Sequence, residues 1–424
     1  MKSILIRSVT ILHPSSPFNK KIVDVLISDG KISAISEAID TKEDVVLIDG
    51  KGRFLSPGFF DLNVNFNEPG FETKEDLISG AAAAIAGGFT GVAVQPSTNP
   101  VIHSKSEVSY IVSRTKEFIV DVHPLGSISH NREGKDLAEL YDMRMAGALA
   151  FTDGTRPVLE SGLMSRALLY AKGFDGLIFS FPEDTSIAGK GKMNEGVVST
   201  YLGMKGIPSL AEEVHISRDL YLAEYNECPV HFSTISSANS VELIRKAKKK
   251  GLNVTCDVAA HHLVLTDDAL EGFESNYKVK PPLRTSQDVS ALLKGVKDGT
   301  IDAIVSQHTP HEIEFKEVEF EIASFGIIGL QTVLPLALES GLAPETIVEK
   351  LSINPRKVLN LEVPAIEEGE EANVVLFDTD AEWVFDANSN KSKSSNSPFF
   401  NTVLKGKVLL ACNNGQVYNN FEDG

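Results

Sequence analysis

The run Asp61-Leu62-Asn63-Val64-Asn65-Phe66-Asn67 carries an asparagine at every second position. In an extended strand that spacing puts Asn63, Asn65 and Asn67 on one face. Three neighbouring carboxamides make a polar wall suited to hydrogen bonding. As metal ligands they are poor, because an amide oxygen is a neutral and weak donor beside imidazole, thiolate or carboxylate. The other groups able to do chemistry are dispersed. Asp153 ends the apolar run GALAFTD, Lys280 precedes a double proline, and histidines fall in the pairs His261-His262 and His308/His311. A base and an oxyanion partner drawn from His311, Asp153 and Lys280 would be a thin catalytic set. The histidine pairs are the one place for a relocated metal, against the plainer reading of structural side chains. His103, His123 and His130 stand alone and read as surface or loop histidines. Gly87-Gly88 follows a helical stretch and precedes a strand, where glycine serves as a C-cap rather than as a phosphate cradle.

The elements that must position these groups alternate. Eight apolar runs, FLSPGFFDLNV, FTGVAVQP, FIVDVHPLGSI, GALAFTD, GLIFSF, CPVHFST, LNVTCDV and IDAIVSQ, are each followed by helical or irregular sequence. After the first, Leu77, Ala81, Ala84 and Ile85 repeat one helical face, with Thr73 and Asp76 at capping-box spacing. After the sixth, Val241, Ile244 and Ala247 repeat it. Strand-then-helix repetition of this kind predicts a parallel (β/α)8 barrel, with functional residues at the C-terminal ends of the strands. Both chain ends read as short strands instead, including a hairpin signal at Asp29-Gly30. The expected organisation is a barrel over residues 55–368 and one small β-sandwich module built from residues 1–54 and 369–424. The polar stretch DANSNKSKSSNSPF reads as a surface loop.

Composition narrows the function classes. The chain has 424 residues and a formal net charge of −18, which argues against a nucleic-acid or anionic-membrane surface. Cys228, Cys256 and Cys412 are far apart and form neither a CxxC pattern nor a disulfide framework. The first apolar run is broken by Arg7, too short for a signal peptide, and no stretch is long enough to span a membrane. A cytoplasmic location is the expectation.

The strand ends, taken with their flanks, resemble the dihydroorotase branch of the amidohydrolase superfamily, which carries PGF-x-D-x-H-x-H-x-R-x-PG where this chain has PGFFDLNVNFNEPG. The likeness runs on through GGFTGVAVQPSTNP, GKMNEGVVSTYLGMKGIPSLAEE, HHLVLTDDAL, KPPLR, HTPH, FGIIGLQT and SKSSNSPF, covering essentially the whole chain. The resemblance implies reversible hydrolysis of a cyclic amide, dihydroorotate to carbamoyl aspartate, by one or two zinc ions at the barrel mouth. It also implies where the ligands would stand. The family's paired histidines fall at Asn63 and Asn65, its HxED histidine at Phe181, its HxST histidine at Thr234 and its proton-shuttling aspartate at Gln307; only Asp153 is kept. On the substrate side the family's arginine falls at Asn67, its PNT asparagine at Ser97 and its asparagine before PPLR at Lys280, while His311 matches. The expectation is a degenerate scaffold that binds no zinc and lacks dihydroorotase activity. Such a chain would persist as a partner of aspartate transcarbamoylase, and the resemblance implies a homodimer. The alternatives are an active cyclic-amide hydrolase with altered or metal-free chemistry, and a metabolite-binding module using Asn63, Asn65, Asn67 and Ser97. With no zinc to face it, Asp153 is expected to pair with Lys280 or another base.

Overall fold

The computed structural model describes residues 3–40 and 45–421; the remaining residues of the expected terminal halves lie outside the described residues. The middle of the chain is a parallel barrel. Its strands are Phe59–Val64, Phe89–Val94, Asp121–Pro124, Ile178–Ser180, Val230–Phe232, Val254–Ala259 and Ala303–Val305. The fourth position, expected as the strand GALAFTD, is reduced to Phe151, which bridges Gly126 on one side and Ile178 on the other. Backbone bonds from Phe151 N to Leu177 O (3.0 Å) and from Phe179 N to Phe151 O (2.8 Å) keep the ladder continuous there. Val64 bridges His308 in parallel and closes the ring.

Each barrel position is followed by a helix, from Leu77–Ala86 after the first to Val333–Glu339 after the eighth. The first shows how local sequence and packing combine. Its cap is Asp76, whose carboxylate accepts from Ser79 N, with Ser79 at the third helical position completing the capping box. The Thr73/Asp76 pairing expected from spacing is therefore shifted by one turn, and Thr73 instead donates to Glu312 (2.5 Å). Leu77, Ala81, Ala84 and Ile85 are buried as their spacing predicts. Gly80 lies against Phe66, and a Cβ there would stand against its Cδ1, a clash with the ring. Ordinarily Gly→Ala in a helix gains about 1 kcal/mol. Here overpacking costs about 1–3 kcal/mol, so Gly80→Ala is expected to lower the urea midpoint rather than raise it.

Both chain ends meet in one eight-stranded sheet. Ser3–Ile11 pairs antiparallel with Ile22–Ser28, which turns through Asp29 and Gly30 into Lys31–Ser36. Both turn residues have positive φ, 50° and 76°, as a tight primed hairpin turn requires. Phe54–Pro57 joins the ends, running parallel to Ser3–Ile11 and antiparallel to Val374–Phe385. This strand belongs to the terminal sheet although the barrel was expected to begin at residue 55. The sheet has its own apolar core, including Ile6, Val25, Ile27, Leu55, Val374 and Leu410, separate from the core between barrel and helices. No helix among the described residues is long and apolar enough to cross a membrane. Cys228, Cys256 and Cys412 are free and buried.

The stretch 386–399 is more than a surface loop. Ser394, Asn396 and Ser397 are buried. Asn396 donates to Thr309 O and Gly326 O (both 3.1 Å) and accepts from His311 N (3.1 Å). Ser392 and the Lys393 amide donate to the fully buried Glu75. Its polarity satisfies groups of the barrel rim rather than water.

Candidate active site at the barrel mouth

The first barrel strand delivers Asn63 and Asn65 to the C-terminal end of the barrel, where the family's ligands would stand. Each carboxamide is already engaged inside the protein. Asn63 Nδ2 donates to Thr234 Oγ1 (3.2 Å) and lies 3.5 Å from Ser233 Oγ. Asn65 Nδ2 donates to His308 O (3.1 Å) and Thr309 Oγ1 (3.2 Å). Thr234 in turn donates its amide (2.6 Å) and hydroxyl (3.1 Å) to Asp257 Oδ1. The other oxygen of Asp257 accepts from His231 Nε2 (2.9 Å), whose Nδ1 meets the Thr255 hydroxyl (2.8 Å). A chain of hydrogen bonds thus ties the first, sixth and seventh strands together.

The remaining positions follow the same pattern. Phe181 is buried and offers no donor atom. Gln307 Nε2 donates to Lys280 O (2.8 Å). Asp153 accepts from Ser129 N (3.0 Å) and from the Ser129 hydroxyl. Burial raises its pKa above the ordinary carboxylate value, partly offset by the Ser129 bonds. The expected pairing of Asp153 with Lys280 is not what forms: Lys280 pairs with Glu183 (2.8 Å), and Asp153 has Ser129. Arg132 acts on the Asp153 carboxylate electrostatically, and its Nε donates to the Asp153 backbone carbonyl (2.8 Å). The side chains at the ligand positions do not fit zinc. Asn63, Asn65 and Gln307 spend their N–H groups and Thr234 its hydroxyl on protein acceptors, Phe181 offers only carbon, and among the described residues no cluster of three or more His, Cys, Asp or Glu could hold a metal ion.

Nor do the histidine pairs converge on such a site. His261 and His262 pack against each other at 4.5 Å between ring centres, and burial drives both pKa values down, that of His262 to about 4. His308 accepts from Gly329 N at Nδ1 (3.2 Å), which leaves its Nε2–H facing Glu75 (3.2 Å). His311 Nε2 bonds Phe325 O (3.0 Å), and burial lowers its pKa to about 4. Of the three isolated histidines, His130 is exposed and His103 lies in a loop, while His123 stands on a barrel strand. His123 is stacked on Phe60 inside the barrel ring, and His103 meets His130 at 4.3 Å.

Asp61, below the asparagines, is fully buried and accepts from Asn63 N and Ser306 N (both 2.8 Å). Burial pushes its pKa up to about 7. A carboxyl raised from its unfolded value near 3.8 stabilises the fold fully below pH 4, and that contribution fades as pH rises to about 7. The cost of Asp61→Asn is therefore expected to shrink between pH 5.5 and 7.5, read from urea midpoints of both proteins.

Asn65, Asn67, Ser97, Lys280, Gln307 and His311 do meet, around a cavity of about 390 Å³. Asn63, Asp153, Phe181 and Thr234 are not among its lining residues. The cavity is also lined by Lys74, Arg132 and Arg156, which motif reading passed over. Their position was the available signal: Arg132 lies beyond the third strand and Arg156 three residues after Asp153, both at strand tails.

Family models identify the chain's relatives. Residues 52–240 match a dihydro-orotase-like family and residues 190–417 the amidohydrolase family. A dihydroorotase from Syntrophus aciditrophicus is 43% identical over 420 residues, covering 98% of each chain. The chain belongs to the dihydroorotase-like branch of the amidohydrolase family. A dihydroorotase from Geotalea daltonii is 42% identical across 98% of this chain and 99% of its own. Among solved structures, the L-hydantoinase of Arthrobacter aurescens superposes with a TM-score of 0.85 over 100% of this chain and 98% of its own, at 24% identity. The dihydropyrimidinase of Brevibacillus agri reaches 0.79 at 21% identity, over 98% and 94%. At these identities the two solved structures speak for the barrel and its β-module alone. The family is thus established on a chain that carries Asn63, Asn65, Asp153, Phe181, Thr234 and Gln307 where the resemblance places the family's ligands.

Proposed function

We propose that this chain is a dihydroorotase-like protein of pyrimidine biosynthesis that performs no zinc hydrolysis, and that it acts, as a homodimer, as a structural or regulatory partner of aspartate transcarbamoylase. One observation carries the reading. Asn63, Asn65, Thr234 and Gln307 have committed their side-chain donors to protein acceptors, and Phe181 has none to offer. Zinc held by such groups would lack the imidazole and carboxylate donors it needs.

The names of the relatives favour a second reading more than they favour this one: an active cyclic-amide hydrolase, dihydroorotase or related. Its available groups are His311, neutral at pH 7 with a buried and unpartnered Nδ1, and Lys280 beside Glu183. Metal analysis of the purified protein separates the two readings. Zinc below about 0.1 per chain after dialysis against micromolar zinc supports the first, and one or two per chain overturns it. Co-purification with a transcarbamoylase, or failure of that enzyme to assemble without this chain, tests the partner role.

A further inference from the structure

The helix Leu210–Asn226, which follows the fifth barrel position, carries an apolar stripe on the side it does not bury. Its inner face buries Ala211, Ile216, Asp219 and Ala223. On its outer face Leu210, Val214, Tyr221 and Tyr225 are 51%, 39%, 74% and 85% exposed. At 100° per residue these four fall within about 60° of one another, over roughly 22 Å of helix. Apolar side chains exposed singly are ordinary on a protein surface, but a stripe held for four turns marks an interaction face. Beside the N-terminal end of the stripe lies a groove of about 380 Å³, shared with the helix Ala238–Lys249. Leu210, Val214 and Leu243 line it together with Asn239, Glu242 and Lys246.

The order of side chains along the stripe points to its occupant. Leu210 and Tyr225 are centred between Ser217 and Arg218, and so are Val214 and Tyr221. An identical helix laid antiparallel across this one, about a two-fold axis at that midpoint, sets each tyrosine of one copy against the aliphatic side chains and groove of the other. The tyrosine end and the groove end are then complementary halves of one self-matching surface. The crossing point itself is clear. Ser217 is small, and Arg218 is drawn aside to Asp219 (2.7 Å) and to the carbonyls of Val158 (2.8 Å) and Leu159 (2.9 Å). Helix axes meeting at small side chains approach to about 8–10 Å. Charge permits the contact as well. Two chains of net charge −18 repel each other in general. Around this stripe, however, Glu213, Glu224 and Glu242 are balanced by Arg218, Lys246 and Lys250, with Glu242–Lys246 at 3.7 Å and Glu224–Lys250 at 3.9 Å. The two tyrosines supply roughly 300 Å² of contact per copy. That is a sizeable part of the ~800 Å² each partner buries in a stable interface.

We propose that this face is the docking surface for a second copy of the chain, with the two Leu210–Asn226 helices antiparallel and the two-fold axis passing beside Ser217. Tyr221 and Tyr225 are its anchors, each with an apolar ring to bury and a hydroxyl to leave at the polar rim of the groove. The proposal rests on the homodimer named in the proposed function and assigns its surface. It is independent of whether zinc binds at the barrel mouth.

The test is sedimentation velocity of the full chain at concentrations up to about 50 µM, with thermal melts to confirm that each variant is folded. The wild type is expected to sediment at twice the mass of one chain. Tyr221→Glu and Tyr225→Glu are each expected to raise the dimer dissociation constant about 30-fold or more, as loss of an interface anchor does. Ile78→Glu makes the same change at a 62% exposed position on another barrel helix and leaves the dimer intact. A crosslink reads the geometry directly and removes no anchor. Ser217→Cys, beside the axis, is expected to give a covalent dimer on mild oxidation, and the exposed Ser290→Cys none. A wild type that stays monomeric overturns the homodimer and this surface together. A dimer that survives both glutamate variants, or that gives no Ser217→Cys crosslink, overturns the surface alone and leaves the homodimer standing.

Discussion

Assayed with excess zinc, the purified protein is expected to cyclise carbamoyl aspartate no faster than the uncatalysed background. Bound zinc lowers the pKa of water from about 15.7 to about 7, so its loss removes roughly eight orders of magnitude of hydroxide at neutral pH. A general acid–base group contributes a further ~10²–10⁴. Where the family carries that carboxylate, this chain has Gln307, which donates to Lys280 O and cannot take up a proton at neutral pH. Both losses act on the same transition state and in the same direction. Positioning in a polar pocket does not compensate, because Asn63 and Asn65 already aim their donors at Thr234, His308 and Thr309. Zinc-dependent turnover above background would sink this expectation and favour the active-hydrolase reading. Turnover unaffected by a chelator would favour a metal-free one.

Arg284→Ala is expected to destabilise the protein by about 3–5 kcal/mol, the range for removing one partner of a buried charge pair. The guanidinium is 2% exposed and ties the paired strands Met193–Asn194 and Gly206–Ile207 to the segment after the sixth barrel strand. Its Nε donates to Ser236 Oγ (3.0 Å), and its Nη1 to Asn194 Oδ1 (2.9 Å) and Ile207 O (2.7 Å). Its Nη2 lies 3.8 Å from Glu212, also 2% exposed. Truncation leaves Glu212 buried without its cation and removes the partner of Asn194 Oδ1, whereas Ile207 O keeps Glu195 N (3.1 Å) and Ser236 Oγ keeps Glu212. Glu212 keeps its bonds from Ser236 N (2.9 Å) and Ser237 N (3.1 Å), so collapse is partial rather than complete. Urea unfolding measures the effect. A loss below about 1 kcal/mol would mean that water replaces the guanidinium at little cost. Arg284→Lys restores the charge but not the forked geometry, and should recover only part of the difference.

The sequence by itself determined the barrel, the two-ended β-module and the family. These follow from patterns that local physics enforces: apolar runs with helical faces between them, Asp29-Gly30 where two positive φ values are needed, and Leu77, Ala81, Ala84 and Ile85 on one buried stripe. Identity of residue type also determined that Asn63, Asn65, Phe181, Thr234 and Gln307 are poor zinc donors, since donor strength belongs to the side chain wherever it sits. Tertiary structure decided who each group meets. The absence of a zinc to face it suggested Lys280 or another base for Asp153, but Glu183 is the carboxylate that the fold brings to Lys280, and Asp153 lies against Ser129 from the neighbouring strand tail. The stretch 386–399 looked like solvated loop because polarity alone does not distinguish water from buried carbonyls as a partner. Arg132 and Arg156 carried no motif, and only the closing of the barrel sets them side by side around one cavity. Charge along a chain is a sum, whereas charge in a cavity depends on which side chains the folded backbone turns inward; that is why a chain of net charge −18 can hold a cationic pocket.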